Sequence, residues 1–324
     1  MSVNETPLHT ADEQGIGTGS LVFAIARGLV VPPAAIWQKK RYRLKFLLRS
    51  LWYWKPTNSM LAALARLPEF PALLRAQVTL PSKPHRHYLR LGLTASQRAQ
   101  AVVDHYHFLH QHTGATLFQA LTASEPTLLF NFSGRNDEVF SLKASTARTA
   151  EREGESTLWL FMGDELLASL TFCITEPAQC PVLFIGGVQG PRRQVTNDTI
   201  KQATKACHGL FPKRILLEVI WQLCSQWQPE QIYGVSDAGH VFRGWRYRFS
   251  KARHLHASYD EFWESVSGIK AGQYQWQLPL SLPRKELEDI ASKKRAEYRR
   301  RYLLQDEIEQ KTLALITSGP QSNS

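Results

Sequence analysis

The sequence predicts a mixed α/β fold of the α+β type, with a helical N-terminal part packed on a mixed sheet and a long helix at the C-terminus. Three observations carry this expectation. Up to residue 114 apolar residues recur at helical spacing. After residue 115 short runs rich in β-branched and aromatic residues, such as "TLLFNFSG", "VFSLKAS" and "PVLFIGGVQG", alternate with Gly, Asn, Asp and Pro. From Leu282 onward a charged segment of helical pattern follows Pro283.

The chain has 324 residues, 43% of them hydrophobic, enough for one elaborated domain or two closely packed lobes. The expected division is a polar tail at 1–18, a helical region at 19–114, an α/β core at 115–280, a C-terminal helix at 281–316 and a second polar tail at 317–324. Lys and Arg exceed Asp and Glu by 11, which points to an anionic partner, either an anionic membrane surface or a phosphorylated small molecule. Specific nucleic-acid binding ranks below these, because no recognised module appears and the basic residues are spread over several segments. Cys173, Cys180, Cys207 and Cys224 form no C-x-x-C pair and no His/Cys ladder, so reduced thiols in a cytoplasmic chain are expected.

In chain order, "SLVFAIARGLVVPPAAIW" is interrupted by Arg27 and ended by Pro32 and Pro33, which makes it a partly buried first helix, too short to span a bilayer. Residues 37–55, "WQKKRYRLKFLLRSLWYWK", hold seven Lys or Arg and no acid, interleaved with aromatic residues. Tyr42, Phe46, Arg49 and Tyr53 fall at helical spacing. The pattern suits the interface of an anionic membrane, hence a peripheral place on the inner membrane, and suits equally a core helix with a solvated basic face. Thr94 and Gln97 make a capping box for "ASQRAQAVVDHYHFLHQH". His105, His107, His110 and His112 on that helix lack a carboxylate or cysteine at ligand spacing, so no metal is expected there and Val102, Tyr106 and Leu109 are expected inward.

The strands then form a meander, with Gly163 and Asp164 turning a hairpin. Two helices follow, one with Ile200, Ala203, Cys207 and Leu210 inward, the other opening at Pro212 with Leu216, Val219, Ile220 and Leu223 inward. "QIYGVSD" is a strand, "YRFSKARHLHAS" a further candidate, and Ser258 with Glu261 caps "YDEFWESV".

Residues 182–195, "VLFIGGVQGPRRQV", are a buried-looking strand ending in glycines and two arginines ahead of a helix start. Gly187, Gln189, Gly190, Arg192 and Arg193 make it a candidate anion cradle, since glycines admit a close backbone approach and a helix N-terminus favours negative charge. A turn that only redirects the chain satisfies the same pattern. No P-loop and no G-x-G-x-x-G is present, which removes the nucleoside-triphosphate and dinucleotide readings. Asp237 and His240 in "VSDAGHV", just past a strand end, and Glu218 are the candidate catalytic acid/base groups.

The order of meander, glycine-ended strand, helix and strand between 115 and 250 resembles the Gcn5-related acyltransferase core. That resemblance implies coenzyme A or acyl-coenzyme A as the ligand of the glycine turn. The family's turn leads directly into its helix, whereas here Pro191 to Val195 intervene.

"FIGGVQG" (184–190), "TKACHGLFPKRILLE" (204–218), "YGVSDAGHVFR" (233–243), "SYDEFW" (258–263) and "SKKRAEYRRRYLLQDEI" (292–308) together resemble the VirK/YbjX family of Gram-negative bacteria. "RSLWYWKPTNSML" and "HYHFL" extend the likeness into the first half. The resemblance implies a role in envelope integrity and virulence, including resistance to membrane-active peptides. It supplies no reaction and no catalytic residue. Two functions are therefore expected: an acyl-coenzyme-A-dependent acyltransferase acting on an envelope component, or a non-enzymatic membrane-peripheral factor binding anionic lipid or a client protein.

Overall fold

The computed structural model describes residues 18–30, 34–177, 180–191, 196–242 and 258–317. The helical part runs α1 (Thr18–Arg27), α2 (Ala35–Gln38), α3 (Lys40–Trp52), α4 (Trp54–Leu64), α5 (Phe70–Ala76), a 3-10 turn (Leu80–His85), α6 (Ala95–His112) and α7 (Ala115–Thr122). Leu21, Val22 and Ile25 bury the inner face of α1, and Trp37 donates its indole N–H to the Val78 carbonyl at 2.6 Å. Thr94 and Gln97 close the expected reciprocal cap on α6, which packs between α4 and the sheet. No described helix is long and apolar enough to cross a membrane.

The sheet consists of β1 (Thr127–Ser133), β2 (Val139–Thr146), β3 (Ser156–Met162), β4 (Glu165–Thr175), β5 (Val182–Gln189), β6 (Gln231–Val235), β7 (Ile269–Lys270) and β8 (Gln275–Leu278), in the order β1-β2-β3-β4-β5-β6-β8-β7. The first five strands form the expected antiparallel meander. Between β5 and β6 the chain passes through α8 (Asn197–Ala206) and α9 (Pro212–Trp227), so these two strands are parallel. Then come α10 (Tyr259–Ser265), the short β7–β8 hairpin and α11 (Ser292–Thr317). Phe108 of α6 and Phe172 of β4 both meet Trp227 of α9, which joins the two helices in one core.

A buried carboxylate ties the helical part to the sheet. Glu155, just before β3, accepts from Lys83 at 2.5 Å, Tyr88 at 2.6 Å, and Tyr106 and Gln77 at 2.8 Å. All four donors lie on the helical side, so one desolvated anion is satisfied only when both halves are docked. Beside it the His105 Nδ1 accepts from the Ile174 N–H, which leaves Nε2–H to donate to the Ser156 hydroxyl, itself bonded to the Leu121 carbonyl.

Three elements differ from the sequence reading. The C-terminal helix begins at Ser292 instead of directly after Pro283. The preceding segment lies back along the helix, with Arg284 paired to Asp306 at 2.6 Å and the Lys285 carbonyl accepting from Tyr302 at 2.7 Å. Strands β7 and β8, of two and four residues, are too short to leave a periodic signal. The candidate strand at 247–258 lies outside the described residues except for Ser258, which caps α10.

Candidate functional site

Strand β5 stays paired with β4 as far as Gln189, but its parallel pairing with β6 covers only Val182 to Ile185. Past that point the two strands part. The register shifts at the same place: Phe172 faces Ile185 and Thr171 faces Gly187, so Gly186 is the extra residue of a bulge. A Cβ on Gly186 would overlap the Glu153 carbonyl oxygen, and one on Gly187 would overlap the Glu153 carboxylate. The two glycines therefore make the seat on which Glu153 lies.

Glu153 is 1% exposed. Its carboxylate accepts from the Gln189 side-chain amide, 3.0 Å from each oxygen, and lies 3.3 Å from His240 Nε2. His240, itself 2% exposed, stacks on Tyr259 with ring centroids 5.1 Å apart, and the Tyr259 hydroxyl is 3.4 Å from Nε2. A carboxylate only accepts, so Glu153 beside this edge of the ring favours the tautomer with the proton on Nε2. That leaves Nδ1 with a bare lone pair, and among the described residues it is buried without a hydrogen-bond partner. Burial, reinforced by the Glu153 charge, pushes the Tyr259 phenol well up, so it keeps its proton at neutral pH.

Asp237 sets the position of Tyr259. Its carboxylate accepts from the Ser258 hydroxyl at 2.8 Å and the Tyr259 backbone N–H at 3.1 Å, while Ser258 accepts from the Glu261 N–H and so caps α10. Asp260 returns the contact by accepting from the Asp237 N–H at 2.8 Å.

A cavity of about 820 Å³ adjoins this cluster. Its walls include Gly190 and Pro191 after β5, Pro212 and Lys213 in the first turn of α9, Ser258 and Phe262 of α10, and Arg301 of α11. Lys213 makes no ion pair among the described residues; its ammonium lies 5.9 Å from the Phe262 ring centre, and burial lowers its pKa. Two pairs of neighbours join the cavity to the buried cluster. Gln189 binds Glu153 while Gly190 lines the cavity, and Ser258 lines the cavity while Tyr259 meets His240. His240, Tyr259 and Glu153 do not themselves line the cavity.

Of the residues singled out from the sequence, Gly187, Gln189 and His240 converge on Glu153, and Gly190 faces the cavity. Asp237 holds α10. Glu218 pairs with Arg214 at 2.7 Å and accepts from Gln305 at 2.9 Å, which fixes two residues of the cavity wall and joins α9 to α11. Arg192 and Arg193 lie outside the described residues. Sequence reasoning passed over Glu153, Tyr259 and Lys213 as site residues. Glu153 sits in "EREGES", which has the composition of a solvated loop, and Tyr259 read only as one apolar position of a helix. Lys213, directly after the helix-opening Pro212, carried the one usable signal.

The chain matches the family described as "Protein of unknown function (DUF535)" over residues 35–314. The "Uncharacterized protein YbjX" of Escherichia coli is 38% identical over 298 residues, 91% of this chain and 89% of the relative. An uncharacterized protein of Haemophilus influenzae is 32% identical over 216 residues, 66% of this chain and 70% of its own. The "Membrane protein LapB" of Mannheimia haemolytica is 24% identical over 203 residues, 61% of this chain and 85% of its own. No solved structure matches. With the family matched across almost the whole described fold and the YbjX likeness running nearly end to end, the chain belongs to the DUF535 family, the group of VirK/YbjX-like proteins that its sequence resembles.

Proposed function

We propose that this protein is an acyltransferase that takes an acyl group from a coenzyme A thioester and passes it to an amine or hydroxyl of an envelope component. The observation that carries the reading is the buried Glu153–His240 pair, with Nδ1 unpartnered among the described residues, set on the glycine bulge where β5 and β6 part. The strand order, an antiparallel meander followed by a parallel pair that opens beside a helix start, supports the acyltransferase likeness of the core.

The residues fit such a donor. A cavity of about 820 Å³ is in the range that takes a cofactor-sized ligand, Gly190 is part of its wall, and Lys213, which makes no ion pair among the described residues, offers a cation for a phosphate. The donor supplies an activated acyl group and a thiolate leaving group. His240 Nδ1 receives the proton that the acceptor nucleophile sheds as its bond to the acyl carbon forms and the carbon–sulfur bond breaks. Glu153 holds the ring in the tautomer that this requires and stabilises the imidazolium. Tyr259, hydrogen-bonded to the same ring and protonated, donates toward the departing sulfur. Movement of the first turn of α10, which carries Ser258 on the wall and Tyr259 behind it, opens the path between donor and base. The Mannheimia haemolytica relative is named a membrane protein, which supports an acceptor at the envelope.

Thermal unfolding of the full chain with coenzyme A or acetyl-coenzyme A tests the donor site. Saturating ligand is expected to raise the midpoint, a ligand at 100 times its Kd contributing about 2.7 kcal/mol. A folded sample whose midpoint ignores both compounds rules the donor site out.

A further inference from the structure

We propose that a second, strongly basic cavity, formed where α3 meets the 3-10 turn, binds the phosphate of a membrane-lipid headgroup while the outer face of α3 lies in the membrane interface. The inference is independent of the acyl-transfer reading, since it uses none of the same residues.

The cavity has a volume of about 350 Å³. Lys45, Arg49, Arg86, Arg98 and Arg152 line it, and among the described residues no Asp or Glu does. Arg86 is paired with Glu151 at 3.0 Å, whereas Lys45, Arg49 and Arg98 make no ion pair among the described residues. Arg98 is 8% exposed, and three bonds to the Pro84 and Leu93 carbonyls fix its guanidinium in place. Holding like charges together against a wall costs free energy that an anion between them removes. His85 adds no charge of its own. Burial first, then Arg49, Arg86 and Arg98, lowers its pKa to about 4, and its Nε2 is shared with Thr57 at 3.1 Å. The Tyr42 and Ser82 hydroxyls, 3.2 Å apart, offer neutral donors at the same wall.

The lipid source is argued from the other side of α3. Leu44, Leu48, Leu51 and Trp52 form a single stripe and are 57%, 60%, 50% and 82% exposed. Lys40, Arg41, Lys45 and Lys55 flank it, all exposed, and residues 37–55 contain no acid. An apolar stripe with Trp at its edge and Lys/Arg on both sides fits an anionic membrane surface, where the leucines enter the acyl boundary and the cations stay among the headgroups. Because α3 also supplies Tyr42, Lys45 and Arg49 to the cavity, one helix orients the headgroup site relative to the bilayer.

The experiment measures co-sedimentation of the full chain with phosphatidylcholine vesicles, with and without phosphatidylglycerol, and, separately, calorimetric titration with inorganic phosphate. The wild type is expected to bind the anionic vesicles. Arg49→Gln and Lys45→Gln are each expected to weaken this about tenfold or more, and Lys293→Gln, which removes the same charge from exposed α11, by no more than about twofold. Trp52→Ser is expected to weaken vesicle binding but to leave phosphate binding intact. Equal losses in Arg49→Gln and Lys293→Gln would reduce the effect to net charge and overturn the site. Arg49-dependent phosphate binding without vesicle binding would overturn the lipid assignment in favour of a free phosphorylated compound. Vesicle binding indifferent to Trp52→Ser would overturn the role of α3.

Discussion

Glu155 has the least freedom of any charged side chain described in the fold. It is fully buried, and its two oxygens take four donors from the helical part. Glu155→Ala leaves the Lys83 ammonium, 3% exposed, without its anion. The expected loss is about 3–5 kcal/mol, read as a lower urea midpoint. Two buried histidines link stability to pH. Burial lowers the His105 pKa to about 3 and that of His85 to about 4 from an unfolded value of 6.5. In the window between those values the unfolded chain binds protons that the folded chain refuses, so stability falls as pH drops below 6.5 and gains no slope from these two groups above it. Unfolding midpoints at pH 7.5, 6 and 5 check this, and His105→Gln is expected to flatten the slope. A wild-type slope unchanged by that substitution would remove His105 from the explanation. These residues also mark the limit of sequence reading. Thr94 and Gln97 were legible because a cap is made three residues apart, whereas Glu155 meets Gln77 across 78 positions and no local pattern announces such a partner.

The glycine-ended strand was legible as an element, but its purpose was not. A run such as "FIGGVQG" predicts a close backbone approach without naming what approaches. In the fold it is Glu153, arriving from the β2–β3 connection. Gly186→Ala and Gly190→Ala separate the seat from the lip. The first sets a methyl into the Glu153 backbone and is expected to cost about 1–3 kcal/mol. The second meets Lys213 Cε at an ordinary 3.8 Å and is expected to change stability by less than about 0.5 kcal/mol. Equal midpoints for the two variants would contradict the seating of Glu153. Helices α9 and α10 appear where periodicity placed them, whereas α8 stops at Ala206, so Cys207 caps it and Leu210, expected on its inner stripe, lies beyond its end. The start of α11 departs as well, because the fold-back of 284–285 depends on Asp306 and Tyr302, about twenty residues further on.

For the molecule as a whole, an excess of 11 positive charges raised the expectation of an anionic partner without locating it. The fold gathers cations that make no ion pair among the described residues at two cavities: Lys213 beside the parted strands, and Lys45, Arg49 and Arg98 beneath α3. Family membership was legible because it is distributed over many short matches, none of which needs a three-dimensional partner. The Glu153–His240–Tyr259 cluster was not, since it joins the β2–β3 connection to the stretch between β6 and α10. The donor site is the claim on which the functional reading turns, and calorimetric titration of the full chain with coenzyme A addresses it directly. One coenzyme A per chain is expected, bound about tenfold more weakly by Lys213→Gln and unchanged by Lys293→Gln. No binding heat, or the same affinity in the wild type and Lys213→Gln, would contradict it.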